Sequence, residues 1–247
     1  MHNIQYIVMR ILSVISGKGG VGKTTLVANL GAVLASKFKK NVILLDSNVS
    51  ASNLGLHFGI DQPAVTLNHV LKGTARLHEA TYAHFTGVKV IPASLILSDI
   101  EGLDISKLHE VLKASHSSLA KKTDVLLIDC SPGLGRETMA AVRASDEVLY
   151  VTIPYVSGLM NLIRCHQTIS ELDVTPLGTV LNMVDGYKHE LSSQEMENLS
   201  GVPVLCTIPL DRNVLKSHAL RIPVVHLKSR SPASRSFTEL AQAILKE

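Results

Sequence analysis

The sequence predicts a doubly wound α/β fold, in which a mostly parallel β-sheet carries helices on both faces. Short apolar segments rich in Val, Ile and Leu alternate along the chain with segments of helical periodicity. Hydrophobic residues make up 46% of the 247 residues and aromatic residues only 4%, so aliphatic side chains must build the core. Strands that are buried on both faces have this composition. The length fits one domain over residues 1–247, and two smaller domains are the alternative. Residues 1–8 are expected to form either an N-terminal extension or a short added strand.

The individual strands and helices can be placed in chain order from their hydrophobic periodicity. Buried strands are predicted at residues 10–16, 41–46, 88–93, 123–133, 147–154, 177–184 and 202–209. Helices are predicted at residues 24–38, 66–72, 104–120, 157–171, 192–199, 213–220 and 233–246. Strands that alternate with helices in this way pair in parallel, because each helix returns the chain to the same edge of the sheet.

The composition argues against several classes of protein. The three cysteines are widely spaced and form no C-x-x-C pair, which argues against a disulfide framework or a cysteine-bound cluster. The net charge of +3 is too small to indicate a nucleic-acid-binding protein by itself. The first apolar run leads directly into a glycine loop, and no run is long enough to span a bilayer. We therefore expect a cytoplasmic protein.

A glycine-rich segment, "SGKGGVGKTT" (16–25), follows the first strand and begins the first helix. It matches the phosphate-loop pattern G-x-x-x-x-G-K-S/T in the strand–loop–helix context that this pattern requires. Glycines let backbone N–H groups surround phosphate oxygens at a helix N-terminus. Lys23 is expected to contact the β- and γ-phosphates, and the Thr24 hydroxyl to bind Mg²⁺. Nucleotide contacts are predicted for Gly17, Lys18, Gly19, Gly20, Val21, Gly22, Lys23, Thr24 and Thr25.

A second lysine, Lys18, lies inside this loop, although Lys23 already supplies its cation. With this lysine, the loop resembles that of the deviant phosphate-loop ATPases, the family of MinD and ParA, whose signature is K-G-G-x-G-K-S/T. The resemblance covers nearly the whole chain and implies a P-loop NTPase fold that hydrolyses ATP to ADP and phosphate with Mg²⁺. It also implies an ATP-dependent homodimer, in which Lys18 contacts the nucleotide of the partner subunit and acts with Lys23 in catalysis.

The segment "DCSPG" (129–133) resembles the second switch of this family, D-x-x-x-G. The resemblance implies that Asp129 holds the magnesium shell through water and that Gly133 approaches the γ-phosphate. The acid also lies at the carboxyl end of a predicted buried strand, which is the edge where ligands gather in open α/β sheets.

Two later segments resemble the part of the family that contacts adenine. "VLNMV" (180–184) resembles the adenine-reading strand and assigns Asn182 to the base, although Met183 stands where the family often has a basic residue. "IPLD" (208–211) resembles the loop that passes the adenine, and it adds two candidates, Pro209 and Asp211.

The segment "LLDSNVSASNL" (44–54) occupies the position of the first switch, D-x-D-x-x-x-x-N-L. Asp46 matches the first acid and is implied to belong to the magnesium site, and Asn53 is implied to anchor the loop. The second acid, which orients the attacking water in the family, is replaced by Asn48. An amide can orient water but cannot act as a base, so we expect hydrolysis that is slower by up to about 10²–10⁴-fold. The alternative is that another acid or a shifted loop supplies this role.

Within the family, the chain resembles MinD-like proteins more than plasmid partition proteins. The resemblance implies an ATP-dependent switch that recruits a protein partner, often at the inner face of the membrane, in placing division or surface machinery. Lipid-binding MinD proteins carry a basic amphipathic tail, which we do not find after the last predicted helix, so its apolar face is expected to pack on the sheet. The segments that carry the resemblance are residues 28–46, 65–73 and 231–245.

The alternative is a ParA-like partition ATPase that binds DNA non-specifically as an ATP dimer. A dimer would double any positive patch formed by the basic residues between positions 212 and 235. A solvated surface is the simpler explanation of such a cluster. Its members are Arg212, Lys216, Arg221, Lys228, Arg230 and Arg235.

Overall fold

A computed structural model describes residues 9–246, so the predicted extension at residues 1–8 lies outside the described part of the chain. The strands are β1 (Arg10–Ile15), β2 (Val42–Asp46), β3 (Tyr82–Ala83), β4 (Lys89–Ile91), β5 (Val125–Asp129), β6 (Glu147–Thr152), β7 (Thr175–Val184) and β8 (Val204–Pro209). The α-helices are α1 (Lys23–Ser36), α2 (Leu67–Leu71), α3 (Leu97–Ile100), α4 (Leu108–Ala120), α5 (Arg136–Arg143), α6 (Val156–Ile169), α7 (Ser193–Ser200), α8 (Arg212–Leu220), α9 (Val224–Leu227) and α10 (Pro232–Lys246). Short 3₁₀ turns cover Gly55–Phe58 and Ile105–Lys107.

The strands form one eight-stranded sheet in the order β3-β4-β2-β5-β1-β6-β7-β8. All neighbouring strands described pair in parallel except β3 and β4 at one edge, which are antiparallel. The predicted doubly wound, mostly parallel sheet is therefore confirmed. Because β1 lies between β5 and β6, the strand order reverses there, and ligands of open α/β sheets bind at the carboxyl ends of the strands beside such a point.

Two apolar layers cover the two faces of the sheet. Along β1, Leu12 and Val14 face the layer that contains α1 and α10, and Ile11 and Ile15 face the layer that contains α4, α5 and α6. This alternation follows from the two-residue period of a strand. The aliphatic composition thus supplies both layers, and the sheet is covered on each side.

Helix α10 places its apolar face on the interior of the protein, as predicted. Phe237, Leu240 and Ile244 are buried in the same layer as α1 and β8. This apolar face is therefore used for packing within the chain. Within residues 9–246, no helix combines the length and the apolar character needed to cross a membrane.

The structure also contains elements that the periodicity did not predict. The most important is α5, which connects β5 to β6 and buries small side chains such as Ala140 and Ala141. Its eight residues make only about two helical turns, which is too short a pattern for the periodicity to identify. The two-residue strand β3 depends on tertiary contacts, since the Tyr82 hydroxyl bonds both the N–H and the carbonyl oxygen of Val65, each at 2.9 Å.

Candidate functional site

The loop between β1 and α1 has the backbone of a phosphate-binding loop, and two of its glycines are sterically required. Gly22 has a φ of 90°, and a Cβ atom there would lie 2.3 Å from Nδ2 of Asn182. A Cβ atom on Gly17 would lie 2.5 Å from Cβ of Asn161. The loop is therefore pressed between α6 and the end of β7, and only glycine fits at these two contacts.

The Lys23 ammonium is buried beneath this loop. Its Nζ atom donates a hydrogen bond to Ser16 Oγ (2.9 Å), and Ser16 in turn donates to the carbonyl oxygen of Lys18 (2.7 Å). Burial lowers the pKa of Lys23, and the nearby Asp129 charge opposes that change. An ammonium has three donors, so the bond to Ser16 leaves two for other acceptors, such as phosphate oxygens.

Two carboxylates end adjacent strands beside Lys23. Asp46 and Asp129 are opposite each other in the β2–β5 register and are 0% and 2% exposed. Burial raises the pKa of Asp46 to about 6, and burial together with the Asp46 charge raises the pKa of Asp129 to about 7. The Thr24 hydroxyl and the Lys23 charge act in the opposite direction on Asp129.

These groups fit a magnesium ion. Oδ1 of Asp129 is buried and has no hydrogen-bond partner among the residues that the structure describes, and a buried polar atom without a partner requires an explanation. Carboxylate and hydroxyl oxygens are the ligands that Mg²⁺ prefers. A divalent cation would also neutralise the repulsion that raises the Asp129 pKa. Thr24, Asp46 and Asp129 are therefore suited to hold the ion.

Asp46 also organises the loop that follows β2. Its Oδ2 atom accepts hydrogen bonds from Ser52 Oγ (2.8 Å) and from the backbone N–H groups of Asn53 (3.1 Å) and Leu54 (3.0 Å). Asn53 was predicted to anchor this loop, and it contacts Asp46 through its backbone rather than through its side chain. The carboxylate thus fixes residues six to eight positions further along, and the sequence pattern did not identify Ser52.

Asn48, which stands in place of the second acid, is held on both sides of its amide. Its Nδ2 atom donates to the Ala51 carbonyl oxygen (2.8 Å), and its Oδ1 atom lies 3.0 Å from Ser131 Oγ. The Ser131 hydroxyl also forms a hydrogen bond with Glu137 in the first turn of α5. Neither Ser131 nor Glu137 was predicted as a site residue. Glu137 lies in α5, so a prediction of that helix would have placed it beside the second switch.

The second predicted switch lies against the phosphate loop. Gly133 has a φ of 79°, which favours glycine, and its backbone N–H donates to the carbonyl oxygen of Ser16 (2.9 Å). A Cβ atom on Gly133 would lie 4.0 Å from the Gly17 carbonyl oxygen. The end of β5 and the phosphate loop are therefore joined by a direct backbone contact.

Lys18 extends away from the loop that contains it. Its Nζ atom donates to Ser157 Oγ (3.3 Å) at the beginning of α6. The first two turns of α6 carry two exposed apolar side chains, Val156 at 65% and Met160 at 60% exposure, and Tyr155 precedes the helix at 37%. We call Tyr155, Val156 and Met160 the apolar rim of the phosphate loop.

A cleft beside the phosphate loop brings together the predicted adenine contacts. Asn182 donates through Nδ2 to the Val21 carbonyl oxygen (2.7 Å), so its amide holds the loop and leaves Oδ1 available. Met183 has a φ of 58°, a conformation that is uncommon outside glycine. The lining residues are Gly22, Thr25, Asn182, Met183, Ile208, Pro209, Leu210, Asp211, Val214, Leu215, His218 and Phe237.

Two members of this cleft have contacts that the sequence did not predict. Asp211 accepts hydrogen bonds from the backbone N–H groups of Asn213 (2.8 Å) and Ala233 (3.2 Å), so its carboxylate caps α8 and α10. Nε2 of His218 lies 2.9 Å from the Thr25 hydroxyl in α1. Asp211 is thus a cap within the cleft, and His218 joins α8 to the start of α1.

Comparisons with known proteins agree with this architecture. A family model described as an AAA domain matches residues 9–178. An uncharacterised ATP-binding protein of Methanocaldococcus jannaschii is 36% identical over 234 residues, which cover 95% of this chain and 87% of that protein.

Solved structures of two relatives are also similar to this chain. The cell division ATPase MinD of Pyrococcus furiosus has a TM-score of 0.90 and 35% identity, over 96% of this chain and 98% of that one. The septum site-determining protein MinD of Pyrococcus horikoshii, solved in complex with Mg-ADP, has a TM-score of 0.89 and 32% identity, over 96% of each chain.

Proposed function

Because the chain belongs to the MinD/ParA-type P-loop ATPases and is MinD-like within them, we propose that it is a molecular switch in which ATP joins two copies and slow hydrolysis separates them. ATP, ADP and Mg²⁺ are the ligands of this family, as in the Mg-ADP complex of the Pyrococcus horikoshii relative. The proposed cellular role is the placement of division or surface machinery through a protein partner. It is supported by the cell division and septum site-determining relatives.

The observation that carries the dimer proposal is the position of Lys18. Lys23 already places an ammonium beneath the loop, while Lys18 points out of it to Ser157. A lysine at the outer rim of a phosphate loop can reach the phosphates of a second copy that faces it. This placement supports Lys18 as the residue that contacts the nucleotide of the partner subunit.

The apolar rim supports the same face as the contact surface. Val156 and Met160 are one helical turn apart on α6 and lie beside Ser157, which bonds Lys18. Removal of such exposed apolar side chains from water favours association. A dimer at this face would cover the rim and bring Lys18 of each copy to the site of the other.

Each residue of the site has a defined task in the proposed reaction. The loop N–H groups and Lys23 hold the β- and γ-phosphates, since phosphoryl transfer depends mainly on positioning and charge stabilisation. A bound Mg²⁺ supplies positive charge at the phosphates, and Thr24, Asp46 and Asp129 are placed to hold it. Because Asp46 also accepts hydrogen bonds from the loop that follows β2, it couples the magnesium site to the conformation of that loop.

Slow hydrolysis is proposed from Asn48. Its amide can accept a hydrogen bond from the attacking water but can neither take its proton nor carry negative charge. We expect Asn48→Asp to raise kcat at saturating Mg·ATP by up to about 10²–10⁴-fold. A native protein that already turns over as fast as the variant would contradict this part of the proposal.

The dimer is tested by measuring its molar mass during size-exclusion chromatography. We expect a monomer with Mg·ADP and a dimer with Mg²⁺ and a non-hydrolysable ATP analogue, and we expect Lys18→Ala to remain monomeric while still binding ADP. Lys121→Ala is the matched control, because Lys121 is exposed just before β5, at the amino ends of the strands and away from the phosphate loop at their carboxyl ends. A native protein that stays monomeric with the analogue would contradict the proposal.

A partition role on DNA is the second candidate, and one observation favours it. All six basic residues between positions 212 and 235 are exposed, although Asp61 offsets the charge of Arg221 through an ion pair. ATP-dependent retention on non-specific DNA that is lost by about 200 mM salt would favour this role. ATP-dependent co-sedimentation with anionic liposomes would instead favour the MinD-like role at the inner face of the membrane.

A further inference from the structure

We infer that Glu137 is a positioning residue for ATP hydrolysis and acts through Ser131 on Asn48. By accepting the only hydrogen of the Ser131 hydroxyl, Glu137 leaves Oδ1 of Asn48 available to accept a hydrogen bond from the attacking water. This role rests on the proposed ATPase function. Through it, an acid on α5 helps to orient the attacking water, which is the role of the acid that Asn48 replaces in the first switch.

The Ser131 hydroxyl has two possible acceptors and can donate to only one of them. The Ser131 hydroxyl lies 3.0 Å from Oδ1 of Asn48 and also within hydrogen-bond distance of Oε2 of Glu137. Both of these oxygens are acceptors, and a hydroxyl has a single hydrogen to donate. Ser131 is buried, so its hydrogen is directed to one of these two acceptors.

The carboxylate is the better acceptor of the two. Hydrogen bonds to an ionised group are roughly twice as strong as bonds between neutral groups. Glu137 also lies in the first turn of α5, where the helix dipole stabilises negative charge. The Ser131 hydrogen is therefore held by Glu137, and Asn48 receives none from it.

The existing hydrogen bonds of Asn48 prevent an amide flip that would direct Nδ2 instead of Oδ1 toward Ser131. Its Nδ2 atom already donates to the Ala51 carbonyl oxygen (2.8 Å), and its backbone N–H donates to Oδ1 of Asp46 (3.0 Å). These two bonds fix the residue with Oδ1 directed toward Ser131. Asn48 is only half-buried, so water can reach the acceptor that Glu137 keeps open.

Removal of Glu137 should therefore block Asn48 through Ser131. In Glu137→Ala, the Ser131 hydrogen turns to Oδ1 of Asn48, and the attacking water must displace it. From the net strength of one hydrogen bond, we expect kcat to fall by about two- to tenfold, with KM for ATP unchanged. In a Ser131→Ala background no hydrogen competes, so the same Glu137→Ala change should leave kcat where Ser131→Ala has set it.

The experiment is a double-mutant cycle in kcat and KM at saturating Mg²⁺, with Ser131→Ala, Glu137→Ala and the double variant. The matched control is Glu195→Ala, because Glu195 also lies in a first helical turn and accepts a serine hydroxyl, Ser192 Oγ at 2.7 Å, far along the chain from the switches. The control should match the native kcat. A Glu137→Ala effect that is equally large in both backgrounds would overturn the role, and so would a native kcat in Glu137→Ala.

A second measurement does not depend on turnover. The side-chain amide signals of Asn48 in nucleotide-free protein, assigned by their loss in Asn48→Asp, should shift in Glu137→Ala and should not shift further when Glu137→Ala is added to Ser131→Ala. If the native protein hydrolyses ATP but the Asn48 signals do not shift in Glu137→Ala, the role of Glu137 alone is overturned. If the signals shift but the native protein hydrolyses no ATP, the proposed ATPase function is contradicted, and the role with it.

Discussion

Replacing Asp129 by Asn removes a carboxyl group whose pKa is raised to about 7 by burial and by the Asp46 charge. A carboxyl group with a raised native pKa binds its proton more tightly in the folded chain than in the unfolded chain. The stability of nucleotide-free protein therefore falls as the pH rises from about 4 to about 7, and stays low above that range. A change from 3.8 to about 7 corresponds to about 4 kcal/mol, at about 1.4 kcal/mol per unit.

We therefore expect Asp129→Asn to stabilise nucleotide-free protein at pH 8 by up to about 4 kcal/mol, and to have little effect near pH 4. The same substitution removes a proposed magnesium ligand, so the added stability from Mg·ADP, about 2.7 kcal/mol at a hundredfold excess over Kd, should be lost. Urea unfolding at both pH values, with and without Mg·ADP, measures both effects. The exposed Asp173→Asn is the control. A variant that is less stable than native protein at pH 8 without nucleotide would refute this reasoning.

Three further substitutions test separate parts of the site. Gly22→Ala should abolish ADP binding in a titration, because a residue with a Cβ is strained at the φ of 90° and that Cβ would lie 2.3 Å from Asn182 Nδ2; retained native affinity would contradict the required glycine. Met160→Glu should prevent the ATP-dependent dimer in light scattering and leave the affinity for ADP unchanged, since the side chain is 60% exposed on the apolar rim; a normal dimer would exclude this face. Asp211→Ala should lower the free energy of unfolding by about 1–2 kcal/mol through loss of the caps of α8 and α10; an unchanged urea midpoint would argue against the caps.

The long elements and the phosphate loop could be predicted because their signals are contiguous in sequence. Buried strands such as β5 carry an unbroken apolar run, and α1 begins directly at the loop that contains Lys23. Helix α5 could not be predicted in this way, because its eight residues are fewer than the periodicity needs to identify a helix. Its place was nevertheless implied, since a parallel connection from β5 to β6 requires a crossover.

The contacts of the switch residues depend on pairs that are distant in sequence. The pattern identified Asn48 as an amide in place of an acid, but Ser131, which contacts it, is 83 positions away. Likewise, Asp211 was predicted because the segment at residues 208–211 resembles an adenine-binding loop. The hydrogen bond from the N–H of Ala233 to the Asp211 carboxylate appears only in the folded chain. Sequence patterns thus indicate which residues meet at the sheet edge, and the structure shows how they are hydrogen-bonded.

The time course of molar mass after addition of hydrolysable Mg·ATP tests the proposed switch most directly. Light scattering should show the mass rising from one chain to two, and then returning to one chain at the rate at which ADP is formed. Asn48→Asp should shorten the dimeric phase in proportion to its faster hydrolysis. A mass that stays at one chain at saturating Mg·ATP, or a dimer that persists after all ATP has become ADP, would contradict the switch.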